Sequence, residues 1–411
     1  MSEVTEHSEP PLGGSVAAPR GPRREGVHAW AVVGAAFVSM FTVFGVAYSF
    51  GAFFQPMARE FRAGSGATSA VFAITAFCYF TLGAISGAVA DRLGPRRVLL
   101  FGALVMGSGL VLTAISPSIW VGYLTYGLGV GIGTACGYVP MVAAVGGWFD
   151  RRRALAIGIA VTGIGVGTLA AAPLAEVLIL RFGWRVTYAV FGVASFLLLA
   201  GCAGLARRPP ASSQAPLRLG RAVRTREFAT IYATGLLTGF ALFMAFVHLV
   251  PYATSRGTPA IAAASLIGVI GAGSSLGRLA LGGVADRLGS VRTYQVAVAI
   301  LTVSFVVWYL APDYTALAVF AFLLGLGYGG WVALSASVVA ELFGPEGLGG
   351  SIGALYTSAG VGALVGPPLA GFLVDLTRSY RLAIAAAVAL ALLSCLLAMS
   401  LPVRRRVQSM N

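Results

Sequence analysis

The sequence predicts an all-α membrane protein with twelve transmembrane helices, arranged as two six-helix pseudo-repeats. Three observations lead to this fold class. Of the 411 residues 58% are hydrophobic, only 10% are charged, and apolar runs of about twenty residues recur along the chain. Soluble domains carry about 25% charged residues, and a helix needs about 20 apolar residues to cross a bilayer. The 55 glycines fit closely packed membrane helices, whereas a β-barrel would show short alternating segments.

Twelve apolar segments are long enough to span a bilayer. The helices of the first half are placed at residues 28–54, 68–90, 98–115, 118–147, 153–179 and 186–206. The helices of the second half are placed at residues 228–254, 262–285, 293–310, 315–341, 348–375 and 381–401. The organisation that follows is a disordered cytoplasmic tail at 1–27, a six-helix bundle at 28–206, a cytoplasmic linker at 207–227, a second bundle at 228–402 and a cytoplasmic tail at 403–411.

The net charge of +14 comes from arginine, because all 28 basic residues are arginine. Twenty of them lie in the tails, the linker and alternate loops, seven lie in the other set of loops, and Arg278 lies inside a span. The positive-inside rule places the larger set, and with it both termini, in the cytoplasm. This basicity therefore faces anionic lipid, and we expect a lipid bilayer and no nucleic acid as partner.

The two halves repeat at an offset of 195 residues. GAVADRLGPRR at 87–97 matches GGVADRLGSVR at 282–292, and residues 156–175 match residues 351–370, both ending in Pro-Leu-Ala. An even number of helices in each half gives the two halves the same orientation in the membrane. Parallel repeats of this kind build transporters whose substrate site lies near the midplane, between the halves.

The segment GAVADRLGPRR resembles the cytoplasmic loop signature of the major facilitator superfamily, and a weaker copy stands in the second half. The resemblance covers the chain after residue 27 and implies the fold of that superfamily. It also implies that this loop is a gate contact that breaks as the halves rock. The gating residues carried over are Gly87, Asp91, Arg92, Gly94, Arg96, Asp286 and Arg287. The alternative is a loop that only sets topology.

A second stretch, FDRRRALAIGIAVTGIGVG at 149–167, resembles the fifth-helix signature of monocarboxylate transporters. Gly163 and Gly167 form a small-xxx-small face within it. EGVHAWAVV at 25–33 is similar to the family's entry into the first helix, although Val27 and His28 depart from the pattern. Oxalate/formate exchangers share these features, so we expect a bacterial member of this family group in a bacterial-type inner membrane.

Arg278 stands inside an apolar span, eight residues before Asp286, which is about 12 Å along a helix. A charge at such a depth costs about 2.5 to 3.5 kcal/mol on insertion scales. The chain has 14 acidic residues, and no deep one pairs with Arg278 in the sequence pattern. We therefore predict that its partner is a carboxylate ligand, held through two parallel hydrogen bonds. The alternative is that Arg278 binds helix carbonyls or a buried polar side chain.

The resemblance agrees, because monocarboxylate transporters carry a substrate arginine in the eighth helix. They often carry an aspartate one turn earlier, thought to relay the proton, and Ser274 stands at that position here. His248 is the only histidine deep in a span and is the candidate for proton coupling. The alternative is a hydrogen-bonded packing histidine near the outer mouth.

Aromatic side chains on helices that line the cavity in the superfamily complete the predicted binding site. Their hydroxyl and indole groups could contact a ligand, and packing or lipid contact is the alternative for each of them. The candidates are Tyr48, Tyr126, Tyr138, Tyr328, Trp331 and Tyr356. Tyr138 and Tyr328 are preferred, because neighbouring small residues leave room for a ligand.

These features predict a monomeric secondary transporter of a small monocarboxylate anion such as lactate or pyruvate, with a proton as co-substrate. The closest rival is an organic anion exchanger of the oxalate/formate type, which would favour a second cation in the cavity. A drug/proton antiporter would usually carry acidic residues in early helices, and none is present here.

Functions outside transport find less support in the sequence. One deep histidine and one deep arginine do not form a catalytic cluster, so we expect no enzyme. There is no Gly-Lys-Ser/Thr phosphate loop, and a sensor would usually add a soluble output domain. Cys78, Cys136, Cys202 and Cys395 all lie in apolar runs, which favours packing roles, and we expect neither metal nor other cofactor.

Overall fold

A computed structural model describes residues 26–149, 152–208, 221–343 and 348–403, and the regular structure within them is helical. The first half contains α1 (Val27–Tyr48), α2 (Phe50–Glu60), α3 (Ser65–Leu93), α4 (Pro95–Ala114), α5 (Ile119–Gly122), a π-helical segment (Tyr123–Leu128), α6 (Gly129–Trp148) and α7 (Arg153–Leu205). After a 3₁₀ turn (Arg221–Arg224), the second half contains α8 (Arg226–Ser255), α9 (Ala260–Leu288), α10 (Ser290–Leu310), α11 (Tyr314–Phe343), α12 (Leu348–Thr377) and α13 (Arg381–Met399).

The described helices account for all twelve predicted spans. Eleven helical stretches in the described residues are long and apolar enough to cross a membrane. One of them, Leu155–Leu205, has 51 residues and is about 75 Å long if straight, more than twice the thickness of a bilayer core. Its helix is interrupted at Gly183, whose φ of 79° and ψ of 160° are not helical, so α7 supplies both the fifth and the sixth span.

The helix ends differ from the predicted ones at this junction. We expected a gap from 180 to 185, but the helix continues up to Gly183 and resumes directly after it. A single glycine suffices because it adopts a positive φ without the steric penalty that a Cβ atom would bring. The first span likewise runs through α1 and α2 to Glu60, beyond the predicted end at residue 54, because its polar last turn stays helical.

The internal repeat is visible in the backbone itself. Gly94 ends α3 with φ 90° and ψ 149°, and Gly289 ends α9 with φ 88° and ψ 153°. The two glycines are 195 residues apart, and each allows the next helix to begin at the following residue. The repeated Asp-Arg-Leu-Gly segment is therefore a helix-ending turn that needs glycine at its last position.

Close glycine packing holds each half together. A Cβ atom at Gly163 or Gly167 would lie 2.2 Å from the carbonyl oxygen of Phe37 or Phe41 on α1. These two glycines therefore let α7 approach the backbone of α1, as the small-xxx-small pattern predicts. Helices α1 to α7 pack mainly on one another, and so do α8 to α13.

The two halves meet along two pairs of helices, α7 with α9 and α3 with α12. Gly165 lies against Gly271 and Ser275 in the first pair, and Gly371 lies against Ser65 in the second. We call the end with the turns at Gly94 and Gly289 the arginine-rich end, and the other the opposite end. The predicted tails lie almost wholly in 1–25 and 404–411, outside the described residues, as do residues 209–220 of the predicted linker. The rest of that linker includes the 3₁₀ turn and the first residues of α8, which begins at Arg226.

Candidate substrate-binding site

A cavity of about 230 Å³ lies between the two halves. Its walls come from α1, α3, α6 and α7 on one side and from α11 and α12 on the other. It extends from Tyr48 and Tyr328 to Ala88 and Asp91, the last residues before the turn at Gly94. Its volume is below the roughly 300 to 1,000 Å³ typical of drug-sized ligand pockets. The space suits a ligand of a few heavy atoms that enters from the arginine-rich end.

Arg278 is placed beside this cavity by the packing of α9 on α11. A Cβ atom at Gly329 would lie 2.1 Å from the carbonyl oxygen of Ser274 and 3.0 Å from the amide nitrogen of Arg278. A Cβ atom at Gly325 would lie 2.2 Å from the carbonyl oxygen of Ile270 and 2.9 Å from the amide nitrogen of Ser274. The glycines of α11 thus bring the two backbones together at the level of Ser274 and Arg278, and this contact fixes the height of the arginine relative to α11.

The guanidinium of Arg278 is buried and lacks a hydrogen-bond partner in the described part of the chain. The residue is 8% exposed, and none of its three side-chain nitrogens has a partner there. The guanidinium carbon lies 5.6 Å from the ring centroid of Tyr328, a cation–π contact. Tyr328 lines the cavity and Arg278 does not, so the ring lies at the boundary between charge and cavity. A buried cation without hydrogen bonds costs free energy, and an anionic ligand bound to the guanidinium would offset that cost.

A cluster of tyrosine hydroxyls joins the two halves at the deep end of the cavity. The hydroxyl oxygens of Tyr48 on α1 and Tyr328 on α11 are 2.8 Å apart, and that of Tyr79 on α3 lies 3.4 Å from Tyr48. Phe246 stacks on Tyr48 with ring centroids 4.3 Å apart. Tyr79 is not among the residues predicted for the site, because it stands in a uniformly apolar segment from which the rotation of α3 cannot be inferred.

The remaining predicted aromatic residues fall into two groups. Tyr138, Trp331 and Tyr356 line the cavity, and both tyrosines lie within electrostatic range of Arg278. The indole N–H of Trp331 donates to the hydroxyl of Tyr294, 3.1 Å away, so this residue offers the cavity its ring and not its N–H group. The prediction for Trp331 as a polar ligand contact is therefore not supported by this arrangement.

Tyr126 and Ser274 do not line the cavity. Tyr126 is fully buried among Phe50 and Tyr188, and its hydroxyl donates to the carbonyl of Val46 at 3.2 Å. Its ring fills the core of the first half because the π-helical segment directs it there, and we correct its assignment to packing. Ser274 is buried one turn before Arg278, and its Oγ has no partner among the described residues.

His248 lies outside the cavity, in the contact between the halves toward the opposite end. Its Nε2 is 2.9 Å from the carbonyl oxygen of Pro367 and 3.0 Å from Oγ of Ser69, which belongs to the other half. A carbonyl only accepts, so Nε2 carries the hydrogen. Nδ1 is buried without a partner in the described part of the chain. His248 therefore makes the hydrogen bonds of the packing alternative at the contact between the halves, and its role in proton coupling stays a prediction.

The predicted gating residues cluster at the arginine-rich end. Gly87 and Asp91 line the cavity, and the carbonyl of Arg92 accepts a hydrogen bond from Arg208. Four of the predicted gating residues are exposed at this end, namely Asp91, Arg92, Arg96 and Arg287. The side chain of Asp286 lies outside the described residues, as do Asp150 and Arg151 of the fifth-helix signature.

Comparison with known proteins identifies the family. The family model of the Major Facilitator Superfamily matches residues 35–314 and 284–411. The chain is 33% identical to "Monocarboxylate transporter 3" of Rattus norvegicus over 88% of its length and 78% of the relative's. It is 31% identical to "Monocarboxylate transporter 11" of Homo sapiens over 88% and 80% of the two chains. The chain belongs to the monocarboxylate transporter family of the major facilitator superfamily.

Solved structures of other superfamily transporters share the fold of this family member. A variant of the nucleoside transporter NupG superposes with a TM-score of 0.73 at 13% identity, over 91% of this chain and 99% of that one. A bacterial homologue of the human lysosomal transporter Spinster, inward-facing and unoccupied, gives 0.71 at 16% identity, over 90% and 96%. The all-α, two-half fold predicted from the sequence is thereby confirmed.

Family membership establishes the coarse function of the chain. It is a multi-pass membrane protein that transports a solute, and its relatives are transporters and not enzymes. Within residues 26–149, 152–208, 221–343 and 348–403, no three His, Cys, Asp or Glu side chains are grouped as metal ligands. The polar and aromatic groups at the cavity are phenols, an indole ring, the carboxylate of Asp91 toward the arginine-rich end and the adjacent guanidinium.

Proposed function

We propose that this protein carries a small monocarboxylate, of the size of lactate or pyruvate, across the membrane together with a proton. The observation that carries the proposal is the buried guanidinium of Arg278, which has no hydrogen-bond partner among the described residues and lies beside the cavity between the halves. The monocarboxylate transporters to which the chain is 30 to 33% identical support the substrate class by their names.

The proposed mechanism begins with charge neutralisation. A carboxylate accepts two parallel N–H bonds from a guanidinium, which supplies the missing partners and fixes the orientation of the ligand. The substrate reaches Arg278 once Tyr328, which lies between them, turns aside. A neutral pair costs less to enclose than a lone cation, so binding of the anion favours closure of the loaded carrier.

In the proposed cycle the halves rock around the filled site. The cavity extends to the arginine-rich end, and the helices of the two halves meet at the opposite end. With the arginine-rich end in the cytoplasm, this is an inward-facing state with both termini inside. We further propose a monomer in a bacterial-type inner membrane. The proton is assigned to His248, whose Nδ1 is free to accept it among the described residues, and which would act from the contact between the halves and not from the cavity.

Uptake of labelled L-lactate into proteoliposomes tests this function. We expect uptake by the wild type to increase with an inward proton gradient and to fall at least tenfold in Arg278→Gln, because the carboxylate loses its charged partner. Arg278→Lys should retain part of the rate, since the charge remains and the planar fork is lost.

Two further arms separate the parts of the proposal. His248→Gln should transport lactate without responding to the gradient if the histidine carries the proton. If wild-type uptake does not depend on the proton gradient, the proton is not a co-substrate. If Arg278→Gln retains full activity, Arg278 is not the anion site. Faster counterflow of oxalate than of lactate would favour the exchanger.

A further inference from the structure

We propose that Asp375 is a gating residue, which holds the opposite end closed by capping the first turn of α3 from the other half of the molecule. The proposal rests on the alternating access described above and adds a residue that neither the sequence motifs nor the family comparison assigns. We call the contact between Asp375 and the amides of Ser65 and Gly66 the α3–α12 latch.

The first turn of α3 lacks a cap from its own sequence. The first four amides of a helix have no partner within the helix, and a side chain just before it usually accepts from them. The residue at that position is Gly64, which has no side chain. Asp375 of α12 supplies the acceptors, with Oδ1 2.9 Å from the amide of Ser65 and Oδ2 3.0 Å from that of Gly66.

Both charge and shape make this contact specific. A carboxylate at a helix N-terminus is stabilised by the helix dipole, and it accepts stronger bonds than a neutral group would. The backbones also touch, since a Cβ atom at Gly371 would lie 2.5 Å from the carbonyl group of Ser65. A Cβ atom at Gly64 would lie 2.6 Å from Oδ2 of Asp375. The small residues on both sides let the carboxylate reach the amides.

A second contact between the halves lies one turn deeper and reinforces the first. The hydroxyl of Ser69 donates to the carbonyl of Ser65 at 2.6 Å and accepts from Nε2 of His248. The histidine also donates to the carbonyl of Pro367 on α12. The second half therefore holds the first turn of α3 at two places. Asp375 accepts hydrogen bonds from its amides, and His248 donates to Ser69, whose hydroxyl is bonded to the carbonyl of Ser65.

The latch has no counterpart on the other side of the molecule. The repeat relates α3 to α9 and Asp375 to Leu180, which cannot accept a hydrogen bond and is exposed. The N-cap of α9 is Pro259, without a side-chain hydrogen bond. Among the described residues, the cap by Asp375 is thus a feature of the α3–α12 side of the opposite end, and opening has to break that contact.

Distances between spin labels test the proposal without any substrate. In a variant whose four cysteines are replaced by alanine, one label pair at Arg59 and Ser379 reports the opposite end, and another at Arg97 and Arg292 reports the arginine-rich end. All four positions are exposed. We expect Asp375→Ala in nanodiscs to raise the ratio of molecules with the longer distance between labels 59 and 379 to those with the shorter one. The expected increase is about fivefold to thirtyfold, because the loss of a helix cap changes a two-state equilibrium by this factor.

Two matched controls separate the latch from general damage. Asp313→Ala removes another acid at the same end, whose Oδ1 accepts from the amide of Ala316 within one half, and should leave both distances unchanged. Gly371→Ala should lengthen the 59–379 distance by wedging the helices apart, whereas Gly201→Ala, with nothing within 4 Å, should not.

The outcomes are distinct. Unchanged distances in Asp375→Ala would overturn the latch, whatever Gly371→Ala shows and even if lactate uptake depends on Arg278. Longer distances in these two variants alone would support it, even if the substrate proves to be another anion. Equal lengthening in Asp313→Ala would show a general loosening of this end and would also overturn it.

Discussion

At the residue scale, the depth of Arg278 could be read from the sequence and its surroundings could not. Its distance from the end of the helix follows from residue counting, and the lack of a deep acid follows from composition. Its contact with Tyr328 and the cluster of Tyr48 and Tyr79 depend on the rotation of four helices about their axes. Uniformly apolar spans carry no periodic signal from which that rotation could be inferred. The assignment of Tyr126 to the cavity was wrong for the same reason.

Ser274 offers a test at this scale. Ser274→Asp places a carboxylate one turn from Arg278, where it can pair with the guanidinium. We expect the KM for lactate to rise at least fivefold at pH 7.5, because the new anion competes with the substrate. Since protonation of the aspartate ends that competition, the KM should fall again as the pH is lowered. The measurement is the pH dependence of uptake in proteoliposomes.

Ser274→Asn is the matched control, because it has nearly the same volume and no charge. The variant should show the pH dependence of the wild type, so that only the additional pH dependence of Ser274→Asp reports the new carboxylate. An equal rise for Asn and Asp would mean that crowding beside Gly325 and Gly329, and not charge, causes the effect.

At the element scale, helix existence was predictable and helix pairing was only partly so. Apolar length gave twelve spans, and the repeated Asp-Arg-Leu-Gly segment gave the turns at Gly94 and Gly289. The pattern Gly163-xxx-Gly167 predicted a close helix contact, and the structure adds that α1 is the partner. The glycines of α11 at 325 and 329 carried no such assignment, although they place Arg278.

Gly329→Ala tests the contact between α9 and α11. The added methyl group would lie 2.1 Å from the backbone carbonyl of Ser274, which cannot turn away as a side chain would. We expect a loss of about 1 to 3 kcal/mol of stability, seen as a lower melting temperature in detergent, together with reduced lactate uptake because Arg278 moves. Gly158→Ala, with nothing within 4 Å, should behave like the wild type, and equal losses in both variants would contradict the argument.

At the scale of the whole molecule, the distribution of arginine predicts orientation, because positive loops are retained in the cytoplasm. The arginine-rich end carries Arg92, Arg96 and Arg97 in the first half and Arg287 and Arg292 in the second. The structure supplies what charge counting cannot, namely that the cavity reaches this end and that the halves meet at the other.

Cysteine labelling checks this orientation. In the cysteine-free variant, Arg97→Cys and Ser379→Cys place single thiols at exposed positions at the two ends. A maleimide that does not cross membranes should label Ser379→Cys in intact cells and should label Arg97→Cys only after lysis. Labelling of Arg97→Cys in intact cells would reverse the proposed topology, and with it the direction in which the described cavity opens.

The junction at Gly183 has a mechanical consequence. No loop separates the fifth span from the sixth, so the two parts of α7 are joined through a single non-helical residue. The fifth span carries Gly165 against the second half, and the sixth presents Val190, Val193 and Leu197 outward, toward lipid. A movement at the contact between the halves would therefore reach the lipid-facing surface of the sixth span through this one junction. We accordingly expect the thickness of the bilayer to alter the rate of transport.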